Sequence, residues 1–178
     1  SLYEDLHAHP ELSFAEHRTA GIAAAWLREW GFEVHEAIGG TGVVGVMSRG
    51  GGPVVLLRAD MDGLPVEEST GLPYASTSRG VDPDGIDVPV MHACGHDMHV
   101  MCLMGAAATL AEDAHWTGTL VALFQPAEEV ARGASAMIAD ALDDRVPRPD
   151  VVRGQHVAPI PAGARGLRSG PAFAATDS

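Results

Sequence analysis

Three segments of this 178-residue chain turn from apolar to polar in the same manner. VVLL (54–57) runs into Arg58, Asp60 and Asp62, LVALF (120–124) into Gln125, Glu128 and Glu129, and VVRGQ (151–155) into His156. Uniformly apolar runs of this length are what strands covered on both faces require. Helical patterns separate them, and strands alternating with helices favour an α/β fold with a mostly parallel central sheet flanked by helices. In such a sheet the carboxyl ends of parallel strands share one rim, where ligands bind. Acids and histidines far apart in sequence are therefore expected to converge there.

The pattern assigns elements along the chain. Residues 14–31 read as a helix, with Ile22, Ala25, Trp26 and Trp30 spaced by three and four. Ser13 is its expected N-cap, Glu16 completes a capping box and Gly31 is a C-cap. Segments 32–38, 41–48 and 52–60 read as strands, the first two forming a hairpin at one sheet edge across a short glycine turn. A turn-rich stretch, 63–90, precedes a helix at 98–113. Then follow a strand at 117–126, a helix at 133–144 and a strand at 149–157.

Composition excludes some functions. A net charge of −13 argues against nucleic acid, which calls for a basic face. RVPRP (145–149) is short and borders Asp143, Asp144 and Asp150, so it reads as a solvated loop. No apolar run approaches the roughly 18 residues of a membrane span. SLYEDLHAHPELS lacks the basic and apolar parts of a secretory signal. Two cysteines, Cys94 and Cys102, make no disulfide framework, and reduced thiols point to a cytoplasmic location.

Within this frame several residues can carry chemistry. Cys94 and His96 flank Gly95 just before a helix, where a thiolate and an imidazole suit zinc and similar divalent ions. The helix N-terminus is expected to lower the Cys94 pKa. The CxH spacing alone is common and equally fits a buried thiol beside a histidine. Glu129 and His156 at the ends of other strands strengthen the metal reading. Glu128 and Glu129 leave adjacent backbone positions in different directions, so one can bind metal while the other acts as general base. Asp60 and Asp62 suit orienting roles beside a ligand histidine, or the capping of their turn. Arg58 is expected to pair with one of them. His92 and His99 read as supporting residues, and His7 and His9 as local N-terminal packing and capping. A GxSxG elbow, an HExxH motif and a Walker lysine are absent. The chief chemical rival is a cysteine–histidine nucleophile at Cys94.

Taken together, LHAHPELSFAEHRTA (6–20), LRADMDGLPVEE, HACGHDMH, FQPAEE, GQHVAPIPAG and SGPAFAATDS resemble the amidohydrolase branch of the M20 metallopeptidases. That branch includes N-acyl-amino-acid amidohydrolases, hippurate hydrolases and auxin-conjugate hydrolases. The resemblance implies two divalent metal ions, drawn from zinc, manganese, cobalt or nickel, with Cys94 bridging them. His96 and His156 would complete one site and Glu129 the other. Glu128 would be the general base and Asp62 the orienting aspartate. The implied substrate is a small N-acyl or N-aroyl amino acid, and the implied assembly is a homodimer or higher homo-oligomer. Family members are about twice as long and carry an inserted lid domain. Residues 1–168 are thus expected to be the N-terminal part of a catalytic domain, and 169–178 the start of the transition to that insertion. On this reading the isolated chain lacks a late metal-binding histidine, and an inactive remnant or metal-binding module is the alternative.

Overall fold

The computed structural model describes residues 1–166. In chain order the elements are α1 (Leu2–Ala8), α2 (His17–Glu29), β1 (Glu33–Ile38), β2 (Gly42–Arg49), β3 (Val54–Asp60), β4 (Arg79–Val81), β5 (Asp87–Pro89), α3 (His96–Glu112), β6 (Gly118–Gln125), α4 (Gly133–Ala139), α5 (Leu142–Arg145) and β7 (Val151–Gly154). The expected transition segment, 169–178, lies outside the described residues.

Five strands form one sheet in the order β1-β2-β6-β3-β7, and β4 pairs with β5 in a separate hairpin within the stretch read as turns. The expectation of a mostly parallel sheet is corrected, because the sheet is mixed. β6–β3 and β3–β7 are parallel, whereas β1–β2 and β2–β6 are antiparallel. The Gly39–Thr41 connection is too short for the crossover that a parallel pair needs. Its second strand then lies along the whole of β6, from Val43 opposite Phe124 to Arg49 opposite Gly118. The hairpin is thus built into the sheet.

β6 shows why this sheet is covered on both sides. Leu120, Ala122 and Phe124 join a core with Leu6, Ala23, Leu27, Val100, Leu103 and Met104, beneath α1, α2 and α3. Val121 and Leu123 face the other way, against Met137 and Val146 of the α4–α5 side. Alternating side chains on a pleated strand produce this division.

Several boundaries differ from expectation for local reasons. Phe14 has φ +64° and cannot continue a helix, so α2 starts at His17. Ser13 is not its cap. The expected helix 133–144 is broken at Ala141, where φ is +58°. α1 was not anticipated, although Ser1 Oγ accepts from the Glu4 amide at its start.

Register places the site. Asp60 lies opposite Gln125, and Gly154 opposite Arg58, so His156 follows two residues beyond the level of Arg58. Parallel strands β3, β6 and β7 therefore end on one rim.

Candidate metal centre

The centre is built around His96, the first residue of α3. The preceding Gly95 adopts φ +78° and leaves no room for a side chain, since an added Cβ would sit 2.6 Å from Val157 Cγ2. This tight turn puts Cys94 and His96 on the rim. His96 Nδ1 faces the Asp62 backbone oxygen at 2.9 Å and Asp62 Oδ1 at 3.2 Å. Donation from Nδ1–H leaves the Nε2 lone pair for another partner. His96 Nε2 is buried and has no hydrogen-bond partner among the described residues, and the same holds for Glu129 Oε1.

Carboxylates surround that nitrogen. Asp60 Oδ2 and Glu128 Oε2 each lie 3.7 Å from it and Glu129 Oε1 lies 3.8 Å away. Ligand atoms of Cys94, His96 and Glu129 fall within 4.8 Å of one another, as do those of Asp60, His96 and His99. These two clusters share His96. In the second, both nitrogens of His99 are engaged: Nδ1 donates to Asp60 Oδ1 at 2.6 Å and Nε2 accepts from the Val157 amide at 2.9 Å. The first cluster holds the two orphaned atoms, His96 Nε2 and Glu129 Oε1, with the Cys94 thiol directed at the Glu129 carboxylate. Their sulfur, nitrogen and oxygen donors fit a borderline-soft divalent ion, and a cation would satisfy the two orphaned atoms.

The electrostatics agree with a site shaped for positive charge. Burial alone would raise Asp60, but His99, Arg58 and His96 outweigh it and hold its carboxyl down to about 2. Arg58 Nη1 donates to Asp60 at 2.5 Å, the pairing expected from sequence. Asp62 is likewise held low against burial, by His96, Ser13 and the Glu129 amide. Burial, then the charges of Asp60 and Glu129, raises Glu128 above the ordinary carboxylate range despite the opposing pull of His96. The expected lowering of Cys94 is corrected. Burial and the carboxylates of Glu129, Glu128 and Asp60 push its thiol up to about 12 in the metal-free protein, overwhelming the helix N-terminus.

The structure brings five of the six sequence-derived residues close together: Asp62, Cys94, His96, Glu128 and Glu129. His156 follows β7 instead of lying on the strand expected through residue 157. Its ring sits 4.7 Å from that of His99 and 6.1 Å from that of His96, centre to centre. It borders the clusters without joining either one.

Two contributors escaped the sequence reading. Ser13 Oγ donates to Asp62 Oδ2 at 2.6 Å, and the same oxygen accepts the Glu129 amide at 3.0 Å. Glu16, fully buried, accepts the Ala127 amide at 2.8 Å. The S-x-x-E spacing of Ser13 and Glu16 fits a capping box, which concealed both roles. His92 is buried with neither ring nitrogen hydrogen-bonded among the described residues, and burial pushes it down to about 4. His7 is no local cap. It reaches Asp97 at 2.6 Å and Glu68 at 3.1 Å.

The fold and site define a metal-binding α/β domain with its donors on a sheet rim. Residues 56–170 match the peptidase family M20/M25/M40, and the chain belongs to that family. It is 44% identical over 175 residues to the hippurate hydrolase of Campylobacter jejuni, covering 97% of this chain and 43% of that protein. It is 42% identical over 175 residues to an N-acetyl-L-cysteine deacetylase of Bacillus subtilis, covering 97% and 39%. A dinuclear metal-binding peptidase of family M20 from Bacillus subtilis superposes with a TM-score of 0.76 at 37% identity, covering 89% of this chain and 42% of that one. The chain thus spans about two fifths of the length of these relatives.

Proposed function

We propose that this chain provides the metal-binding part of a hydrolase that cleaves the amide bond of N-acyl or N-aroyl amino acids. The observation that carries this reading is the pair of orphaned atoms, His96 Nε2 and Glu129 Oε1, beside Cys94 and Glu128. Similarity to proteins named for hippurate and N-acetyl-L-cysteine, both N-acylated amino acids, supports the substrate class.

In this reading Cys94, His96, His156 and Glu129 would hold the divalent ions, with Cys94 shared between the two sites, His96 and His156 serving one and Glu129 the other. Divalent ions held there would supply Lewis acidity toward the amide carbonyl and lower the pKa of water. Glu128 holds the proton traffic. Its carboxylate takes a proton from the attacking water as the C–O bond forms, then delivers it to the leaving nitrogen as the C–N bond breaks. Asp62 keeps the His96 ring in the orientation that presents Nε2. A homodimer or higher homo-oligomer in the cytoplasm completes the reading. The two free cysteines agree with a reducing compartment, and among the described residues no helix is long and apolar enough to cross a membrane. A nucleophilic Cys94 is disfavoured, because burial and the surrounding carboxylates hold its thiol protonated.

The test separates the two glutamates in the full-length protein, using acetyl-, benzoyl- and indoleacetyl-amino acids. Glu128→Gln is expected to keep its metal and lose roughly 10²–10⁴-fold in turnover. Glu129→Gln is expected to lose metal and regain part of its activity with excess metal. Turnover of simple esters or unblocked dipeptides alone would overturn the substrate class. Loss of metal from the Glu128 variant but not the Glu129 variant would reverse the two roles.

A further inference from the structure

Glu16 is fully buried, and among the described residues it makes no ion pair. An unpaired buried carboxyl is costly unless its oxygens are filled, and here they are. Oε1 accepts the Phe14 amide at 3.0 Å and the Ala127 amide at 2.8 Å, and Oε2 accepts the Thr41 hydroxyl. The partner 111 residues away is the informative one. Ala127 has φ +49°, an uncommon conformation for a residue with a side chain, and it immediately precedes Glu128 and Glu129. From there the turn closes on itself. Ala131 N donates to Glu128 O, and Arg132 N and Gly133 N both donate to Ala127 O. Gly133 packs so closely that an added Cβ would lie 1.6 Å from Pro126 O. Asp62 grips the same turn further on, through the Glu129 amide.

We infer that Glu16 is a positioning residue: by accepting the Ala127 N–H it fixes the left-handed turn that sends Glu128 and Glu129 toward the metal centre. This rests on the function proposed above for that turn. Glu16 touches neither a metal ligand side chain nor the reacting atoms, so its effect passes through the backbone of 127–133.

The test compares Glu16→Ala, Glu16→Gln and Thr41→Val in the full-length protein. Thr41→Val removes one buried hydrogen bond to Glu16 and spares the bond to Ala127, so it serves as the control for stability loss alone. Hydrogen exchange of the 126–133 segment reads the turn without metal or substrate, and chelator competition with zinc reads the site. Glu16→Ala is expected to speed exchange in 126–133 and to weaken zinc binding about tenfold or more. Thr41→Val is expected to leave both unchanged, and Glu16→Gln, whose amide oxygen can still accept the Ala127 N–H, to restore both close to wild type. If Glu16→Ala fails to fold, Glu16→Asp replaces it, because the shorter carboxylate cannot span from Ala127 to Thr41. Unchanged exchange in 126–133, or equal effects of the Glu16 and Thr41 variants, would overturn the inference. A wild-type protein that binds no zinc would instead overturn the proposed function, while the exchange result would still decide the role of Glu16.

Discussion

The tautomer of His96 decides what the centre can hold. With Nδ1–H donated to Asp62, Nε2 points into a ring of carboxylates with nothing to accept. Burial and the same carboxylates make Cys94 a poor nucleophile in the metal-free protein. In metal-free protein at about pH 8, a thiol probe should therefore label the exposed Cys102 well before Cys94, whose thiol is pushed up to about 12. Mass-spectrometric mapping of the labelled peptides checks this, and faster labelling of Cys94 would contradict the electrostatic account. The candidate ligands could be read from sequence because each ends an apolar strand or opens a helix, where direction is set locally. Ser13 and Glu16 could not. Their partners Asp62 and Ala127 are 49 and 111 residues away, and a local capping pattern explained the same two letters.

Between elements, His7 ties α1 to the start of α3 through Asp97, and to the loop between β3 and β4 through Glu68. Burial would lower its pKa, but the hydrogen bonds and charges of Glu68 and Asp97 outweigh that and raise it. The folded state thus binds this proton more tightly than the unfolded chain. Its contribution to stability is full below the unfolded value of about 6.5 and fades as pH rises through the raised folded value. His7→Gln should accordingly cost about 1.5–3 kcal/mol near pH 6, as expected for hydrogen bonds to charged groups. The cost should be clearly less near pH 9. Urea unfolding at both values measures it, and a cost independent of pH would show that His7 is neutral in the fold. Strand and helix order was legible here, since period and turn residues are local signals. Pairing direction was not, because the edge that β2 finds on β6 depends on residues far apart in the chain, such as Ser48 and Thr119, 71 positions apart. Ala127, Ala131 and Ala141 also hid their turns, since alanine carries no signal for positive φ.

For the molecule as a whole, the described residues gather a candidate metal site on the rim where β3 and β6 end, with His156 arriving beyond β7. The chain spans about two fifths of its relatives, and the valines of β7, Val151 and Val152, are 39% and 63% exposed. The central claim is that Cys94, His96 and Glu129 hold a divalent ion at this rim. Its most direct test is the absorption spectrum of the full-length protein loaded with cobalt(II), in which a thiolate ligand gives a charge-transfer band that nitrogen and oxygen ligands do not. The account predicts that band in the wild-type protein and in Glu128→Gln, and its loss in Cys94→Ser. A cobalt-loaded protein without the band, or one whose band survives Cys94→Ser, would contradict it.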